Sequence, residues 1–337
     1  MQFSLSCFFH PNFQIRKEDF MGGYIIRRLL SLIPVLLVVA VVVFLIIHIT
    51  PGNPAMIILG EGATPEQIEE LNQKLGLDKP LIAQFFIWLA NIAQGDFGDS
   101  YFLGKPVLIA FLENAGPTLS LAVLAQLIGV TIALLFGIVA AKNQGRMKDD
   151  LISGTSLIGI SIPSFLLGSF LIMIFAVQLK VLPVSGYAPL SQGIWEHLKY
   201  LILPAITLGT IQAALITRMT RSSLLDTLSE NFIKTAKAKG VSERAILLKH
   251  TLRVAFLPIL TVIGESFAGL ITGAAVTESL FNIPGLGQLI VASINRRDYA
   301  VIQGAVLMIT VVYVLMNLLV DLLYAVIDPR VRNSYQA

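Results

Sequence analysis

Few side chains in this 337-residue chain could do chemistry, and those that could stand in apolar surroundings. Glu265 follows Pro258 by about two turns, which places a carboxyl group roughly 10 Å into an otherwise apolar helical segment. Gly264, Gly269, Gly273, Ala274 and Ala275 share that segment. Such a composition fits a helix that lines a pathway or packs closely on a partner. A charge at that depth is costly unless it is paired or faces a wet path. The favoured reading is a structural pair with an arginine near the membrane surface, such as Arg253. The other is contact with the ammonium group of a substrate.

Hydrolytic chemistry finds no support. Gly154-Thr155-Ser156 and Gly159-Ile160-Ser161 place serines in an apolar run. A serine nucleophile needs a base within hydrogen-bond reach. His48 is the histidine nearest an apolar span, and it stands at the outer end of a different one, close to Pro51. The serines are expected to pack against helices or bond to backbone. No GxxxxGK[ST] phosphate loop occurs: Gly98 to Gly104-Lys105 has the wrong spacing, and Pro106 follows. Cys7 is the only cysteine, so an internal disulfide or a cysteine metal cluster is excluded. The expectation is a chain with no catalytic residues, no metal site and no bound cofactor, whose energy comes from a partner.

A different kind of site lies between Glu230 and Pro258, which reads ENFIKTAKAKGVSERAILLKHTLRVAFLP. The segment is basic, rich in alanine and broken once by Gly240. Ile233, Ala236 and Gly240 fall on one helical face at i, i+3 and i+7, and Phe232 begins the neighbouring face. Lys234, Lys237 and Lys239 spread around the helix and keep it out of an apolar core. Gly240 suits the left-handed end of a helix. Ser242 can cap the next helix, and Glu243 favours its positive end. Pro258 is read as the start of the following span. A short helix-turn-helix of this kind offers a surface for a partner to grip. An amphipathic helix lying on anionic lipid is the disfavoured alternative, because the apolar face is narrow.

The elements that position these groups are membrane spans. Hydrophobic residues make up 55% of the chain and charged residues 13%, with mean hydropathy +0.78. A soluble domain carries about 25% charged residues. Six stretches are long enough to cross a bilayer: Ile25–Ile49, Thr118–Ala141, Leu151–Leu179, Tyr200–Met219, Pro258–Leu280 and Ile302–Ile327. They are continuously apolar, which excludes a strand barrel. Pro163 is expected to kink the third. Lysine and arginine cluster before the first span, between the second and third, between the fourth and fifth, and after the sixth. That bias places both termini in the cytosol. Arg296 and Arg297 are the exception, partly offset by Asp298. The acidic outer loop holds two apolar stripes, Ile68, Leu71, Leu75 and Phe85, Trp88, Leu89, Ile92. They are read as short helices that tie the loop down, with a docking rim as the alternative. Residues 1–20 do not read as a signal peptide, and Met21 is an alternative start. Pro284-Gly285-Leu286-Gly287 is an outer turn, with Phe281 and Ile283 holding it at the interface.

The motifs resemble bacterial ABC importer permeases of the dipeptide/oligopeptide/nickel family. They run in order as HITPGNP (His48–Pro54), LGLDKPL (Leu75–Leu81), GDFGDSY (Gly95–Tyr101), ILPAITLG (Ile202–Gly209), RMTRSSLLDTLSENFIKTAKAKG (Arg218–Gly240), ESLFNIPGLGQL (Glu278–Leu289), RRDYAVIQG (Arg296–Gly304) and NLLVDLLYAVIDPRVR (Asn317–Arg332). The resemblance implies an all-α integral membrane protein with the type I ABC importer permease fold, multi-pass in the bacterial inner membrane. It implies a cytosolic arm over 1–24 and a six-helix permease domain over 25–328. That domain would hold an outer loop over 51–117 and a cytosolic coupling loop over 220–257, with a tail over 329–337. The implied partners are a second homologous permease, two ABC ATPase subunits that hold the ATP and Mg, an external substrate-binding protein and membrane lipid; nucleic acid is not among them. The coupling helix is carried over to Ile233, Lys234, Thr235, Ala236, Lys237, Ala238 and Gly240. Lys234-Thr235-Ala236 stands where the general pattern has Glu-Ala-Ala. Glu265, Gly269 and Pro163 are the pathway candidates, and Phe281, Pro284, Gly285 and Gly287 those for the external mouth. Peptides are the leading cargo, with glutathione or a nickel chelate as alternatives. A stand-alone secondary transporter is the competing class, disfavoured because no internal repeat or chain of buried acids is evident.

Overall fold

The computed structural model describes residues 17–49, 52–60 and 62–327, with side chains described over 30–322. The first part of the expected arm and the tail after 327 lie outside the described residues. Helix α1 (Lys17–Ile49) is already helical before the expected first span. Three short helices follow, α2 (Pro54–Leu59), α3 (Pro65–Leu75) and α4 (Leu81–Ala93), then a small antiparallel hairpin of β1 (Asp99–Ser100) and β2 (Lys105–Pro106). Next come α5 (Val107–Lys142), α6 (Met147–Ser161), α7 (Ser164–Leu171) and α8 (Ile194–Ser229). Helices α9 (Asn231–Ala238), α10 (Glu243–Ala245), α11 (Leu252–Gly273), α12 (Ala275–Phe281), α13 (Leu286–Arg296) and α14 (Tyr299–Ile327) complete the chain. Among the described residues five helices are long and apolar enough to cross a bilayer, and the pair α6 and α7 makes a sixth if counted as one span.

Three expected boundaries are corrected. The third span is broken, not kinked: α6 and α7 meet at 100°. Pro163 has no N–H and pushes its predecessor toward extended backbone. Ile162 accordingly sits at φ −80°, ψ 123°, and Pro163 caps α7. Pro258 does not open the fifth span, because α11 runs straight through it. That helix grows out of α10 through a π-helical turn at Ile246–Thr251 and stops at Gly273. The expected end at Leu280 belongs to the separate helix α12. The second and fourth spans are longer than expected, with Pro117 and Pro204 inside α5 and α8.

Helix α8 is the axis of the bundle, packed by α5, α11 and α6. Lipid tails are as apolar as leucine, so helices in a membrane associate by close packing of small residues. On α5, Gly129, Ala133 and Gly137 recur every four residues and are buried; Gly129 meets Gly209 and Ala213 of α8, and Gly137 meets Thr220. A side chain on Gly137 would begin 2.6 Å from Cβ of Thr220. Gly137→Val is therefore expected to destabilise the subunit by about 1–3 kcal/mol or more, read as a lowered unfolding temperature in detergent.

Both expected stripes between α1 and α5 are helices. Thr64 and Gln67 form a capping box that starts α3. Phe85 of α4 meets Phe44 of α1 edge to face and Trp88 meets it at a tilt, with ring centroids 5.2 and 5.7 Å apart. His48 and Gln84 meet at 3.1 Å, and Gln84 also donates to the carbonyls of Leu77 and Lys79. The segment is thus tied to α1 at the end where that helix stops.

Candidate functional site

Helix α9 forms where the sequence expects it. Gly240 closes it at φ +76°, a left-handed conformation that a side chain would strain. Ser242 then caps α10 by accepting from the N–H of Ala245 at 3.4 Å. The sequence offers Ile233, Ala236 and Gly240 as the face for a partner, with Lys234 and Lys237 at its edges, and in the structure that face turns inward at Ile233. Ile233 is 0% exposed, packed where α9 lies against α8 and the π-helical turn. Ala236, on the same face, is half-buried. These residues seat the helix on its own subunit. Phe232, Lys234, Thr235, Lys237, Ala238, Lys239 and Gly240 are exposed, and Phe232 is the large apolar group among them at 43%.

Glu265 and Gly269 are brought together. They line a cavity of about 910 Å³ walled by α6, α8 and α11, which Ser153, Gln212 and Arg218 also border. The expected pair with Arg253 does not form; Glu265 makes no ion pair with any described residue. Its nearest cationic company in the cavity is Arg218 and Arg221. Arg221 is already engaged, because Nε and Nη2 donate to the two oxygens of Asp149 at 2.5 and 2.7 Å. Asp149 also accepts from the N–H of Gly145, which fastens the start of α6 to α8. Pro163 is exposed at the α6–α7 break and does not border the cavity.

The residues expected at the mouth form a buried knot around a side chain the sequence did not single out. Glu278 is 0% exposed. Its Oε1 accepts from the hydroxyl of Thr118 at 2.6 Å, and its Oε2 from the N–H of Gln288 at 3.0 Å. Thr118 in turn accepts from the N–H of Leu286 at 2.8 Å. The first amides of α13 are thus satisfied by one carboxylate and one hydroxyl, where helix ends otherwise leave donors free. Gly285 must lack a side chain, since a Cβ there would lie 2.2 Å from Oε1 of Glu278. Gly287 passes equally close to the backbone of Ala275. Phe281 is buried against this knot, while Pro284 is exposed. The only advance signal for Glu278 was an acid in an apolar run.

Two other motifs meet across the chain. The hydroxyl of Ser100 donates to Asp298, which also accepts from the N–H of Val301 at the start of α14. The hairpin after α4 is thereby locked to the start of α14.

Residues 133–333 match the family "Binding-protein-dependent transport system inner membrane component". Residues 21–134 match its N-terminal counterpart. The chain is 45% identical over 312 residues to a probable peptide ABC transporter permease protein, y4tP, of Sinorhizobium fredii, covering 93% of this chain and 100% of that one. It is 44% identical over 312 residues to the glutathione transport system permease protein GsiC of Escherichia coli K12, covering 93% and 99%. Among solved structures, an inward-facing MetNI methionine ABC transporter chain is similar, with TM-score 0.54 and 18% identity over 66% of this chain and 97% of that one. That likeness concerns the fold.

Proposed function

The chain belongs to the family of binding-protein-dependent transport system inner membrane components, and from that premise we propose that it forms half of an import pathway for short peptides. It is a multi-pass permease subunit of an ABC importer of the bacterial inner membrane, with the type I permease fold. ATP hydrolysis belongs to a partner ATPase, and a substrate-binding protein supplies the cargo. The finer assembly is our reading: this subunit pairs with a second, homologous permease over two ATPases that hold the ATP and Mg. The basic end that carries α9 faces the cytosol, by the bias of lysine and arginine. Residues 220–257 act as the coupling segment, and the Glu278 knot stands at the external mouth.

One observation carries the reading. Helix α8 bears Gln212 and Arg218 on the cavity wall and leads directly into α9; α9 leads through α10 and the π-helical turn into α11, which bears Glu265. A push on α9 therefore acts on two of the three helices that wall the cavity, α8 and α11, which is the lever an ATPase needs to open and close a path. Peptide is the cargo we favour, in line with the relative named a probable peptide permease.

The test is assembly and energy dependence. ATPase subunits are expected to co-purify with the tagged chain, and vesicles holding the complex to take up a labelled dipeptide only with ATP inside and binding protein outside. Uptake that persists without any ATPase overturns the importer reading. Calorimetry of the binding protein encoded beside the gene, against dipeptides, glutathione and a nickel chelate, tests the cargo. Binding of glutathione alone would replace peptide as the cargo.

A further inference from the structure

We propose that Arg218 and Glu265 receive the carboxylate and the ammonium group of a short peptide as it crosses, with Gln212 bonding to a peptide N–H. This rests on the import reading above and names the recognition chemistry of the same cavity.

Arg218 and Glu265 carry opposite charges on facing helices, α8 and α11, and border one cavity of about 910 Å³. They do not pair with each other, and among the described residues neither has another ion-pair or side-chain hydrogen-bond partner. The obvious partner for Arg218 is taken, since Arg221 occupies both oxygens of Asp149. Glu265 lies within the long apolar helix α11, where an unpaired charge is rare and faces a pathway when it occurs; Arg218 of α8 borders the same cavity. Two charges on one cavity, unspent on each other, leave room for a ligand with both signs.

Gln212 adds an independent observation. Its Oε1 is buried and has no hydrogen-bond donor among the described residues. Most buried side-chain acceptors are satisfied; among the described residues six buried side-chain atoms are not, and of these Gln212 Oε1 is the one whose residue borders this cavity. That atom has no accessible surface in this conformation, so a peptide N–H reaches it once the Gln212 side chain turns toward the cavity that its residue borders. The rest of the lining includes Leu157, Leu215, Met219 and Val262. Apolar walls with a flexible methionine tolerate varied side chains. What short peptides share is a charged group at each end and amides between them, and those are the groups the polar residues fit. Glutathione carries the same ammonium, carboxylates and amides, so it belongs to the class.

The experiment uses vesicles containing the complete importer, with ATP inside and saturating binding protein and labelled trialanine outside. Glu265→Gln and Arg218→Gln are expected to lower uptake about tenfold or more, the loss of one charge-assisted hydrogen bond. Glu265→Asp and Arg218→Lys are expected to recover most of it, with the second permease and the ATPases retained in every complex. Unchanged uptake in both glutamine variants overturns the proposal. So does reduced uptake accompanied by loss of the second permease, which would make these charges inter-subunit contacts. If the wild-type complex imports no trialanine, the peptide reading itself fails, and the same variants are then read on labelled glutathione. Uptake of a cargo lacking an ammonium–carboxylate pair, indifferent to all four changes, overturns the proposal on its own.

Discussion

Glu278→Ala is expected to destabilise the subunit by about 3 kcal/mol or more, seen as a lower unfolding temperature and faster trypsin cleavage after Arg296 and Arg297. The substitution deletes the acceptor for the N–H of Gln288 and the nearer acceptor of the Thr118 hydroxyl, which keeps only the Asn114 carbonyl at 3.4 Å, beside a carboxyl group that is fully buried. The orphaned Gln288 N–H costs about 1–3 kcal/mol, the lengthened Thr118 bond adds to it, and the vacated volume adds a cavity cost. Glu278→Gln should lie between, because an amide oxygen still accepts from Gln288 while the amide nitrogen turns the Thr118 hydroxyl away. Gly285→Ala gives a sharper check. In the wild type its Cβ would lie 2.2 Å from Oε1 of Glu278, so it should be as damaging as losing the carboxylate. In the Glu278→Ala background that obstacle is gone, and Gly285→Ala should add little. Additive losses would mean that the two residues do not share one packing site.

The same knot marks where the sequence stops being legible. ESLFNIPGLGQL could be matched as a motif, yet the role of Glu278 depends on Thr118, 160 residues upstream, and no local pattern carries that pairing. What was legible was local. The spans followed from apolar length, and the closure of α9 at Gly240 and the Ser242 cap followed from backbone preference and a short hydroxyl. Proline was ambiguous because its effect depends on neighbours. Pro163 breaks a span at 100°, whereas Pro117, Pro204 and Pro258 are held inside long packed helices. Charge proximity along the chain also misled. Arg253 lies nearer to Glu265 in sequence, but Arg218, from another helix, shares its cavity. On α9 the apolar face was assigned to a partner, when the subunit itself had first claim on it.

That last point decides what should happen to transport when α9 is altered. Phe232→Ala is expected to abolish uptake while leaving the subunit intact, and to strip the ATPase subunits from the complex on gel filtration. Phe232 is 43% exposed and touches the face that includes Thr235 and Lys239 at i+3 and i+7, so shortening it leaves no hole in its own chain. A few anchor residues dominate binding energy at interfaces, at about 2 kcal/mol or more each, and Phe232 is the large exposed apolar side chain that α9 offers as one. Ile233→Glu is also expected to abolish uptake, by a different route. Its side chain is 0% exposed, and a carboxylate forced into that seat costs several kcal/mol unless the helix lifts off. Trypsin separates the two. Cleavage at Lys234, Lys237 and Lys239 should rise in Ile233→Glu and stay at the wild-type rate in Phe232→Ala, both measured on the subunit without ATPase. Ala236→Glu, on the half-buried face, should behave like Ile233→Glu. Gly240→Glu should do so more weakly, since it strains a φ of +76° but meets no neighbouring atom within 4 Å. Full uptake and full ATPase retention in Phe232→Ala would move the docking surface off α9's exposed face. The lever from ATPase to cavity would then have to enter the subunit elsewhere.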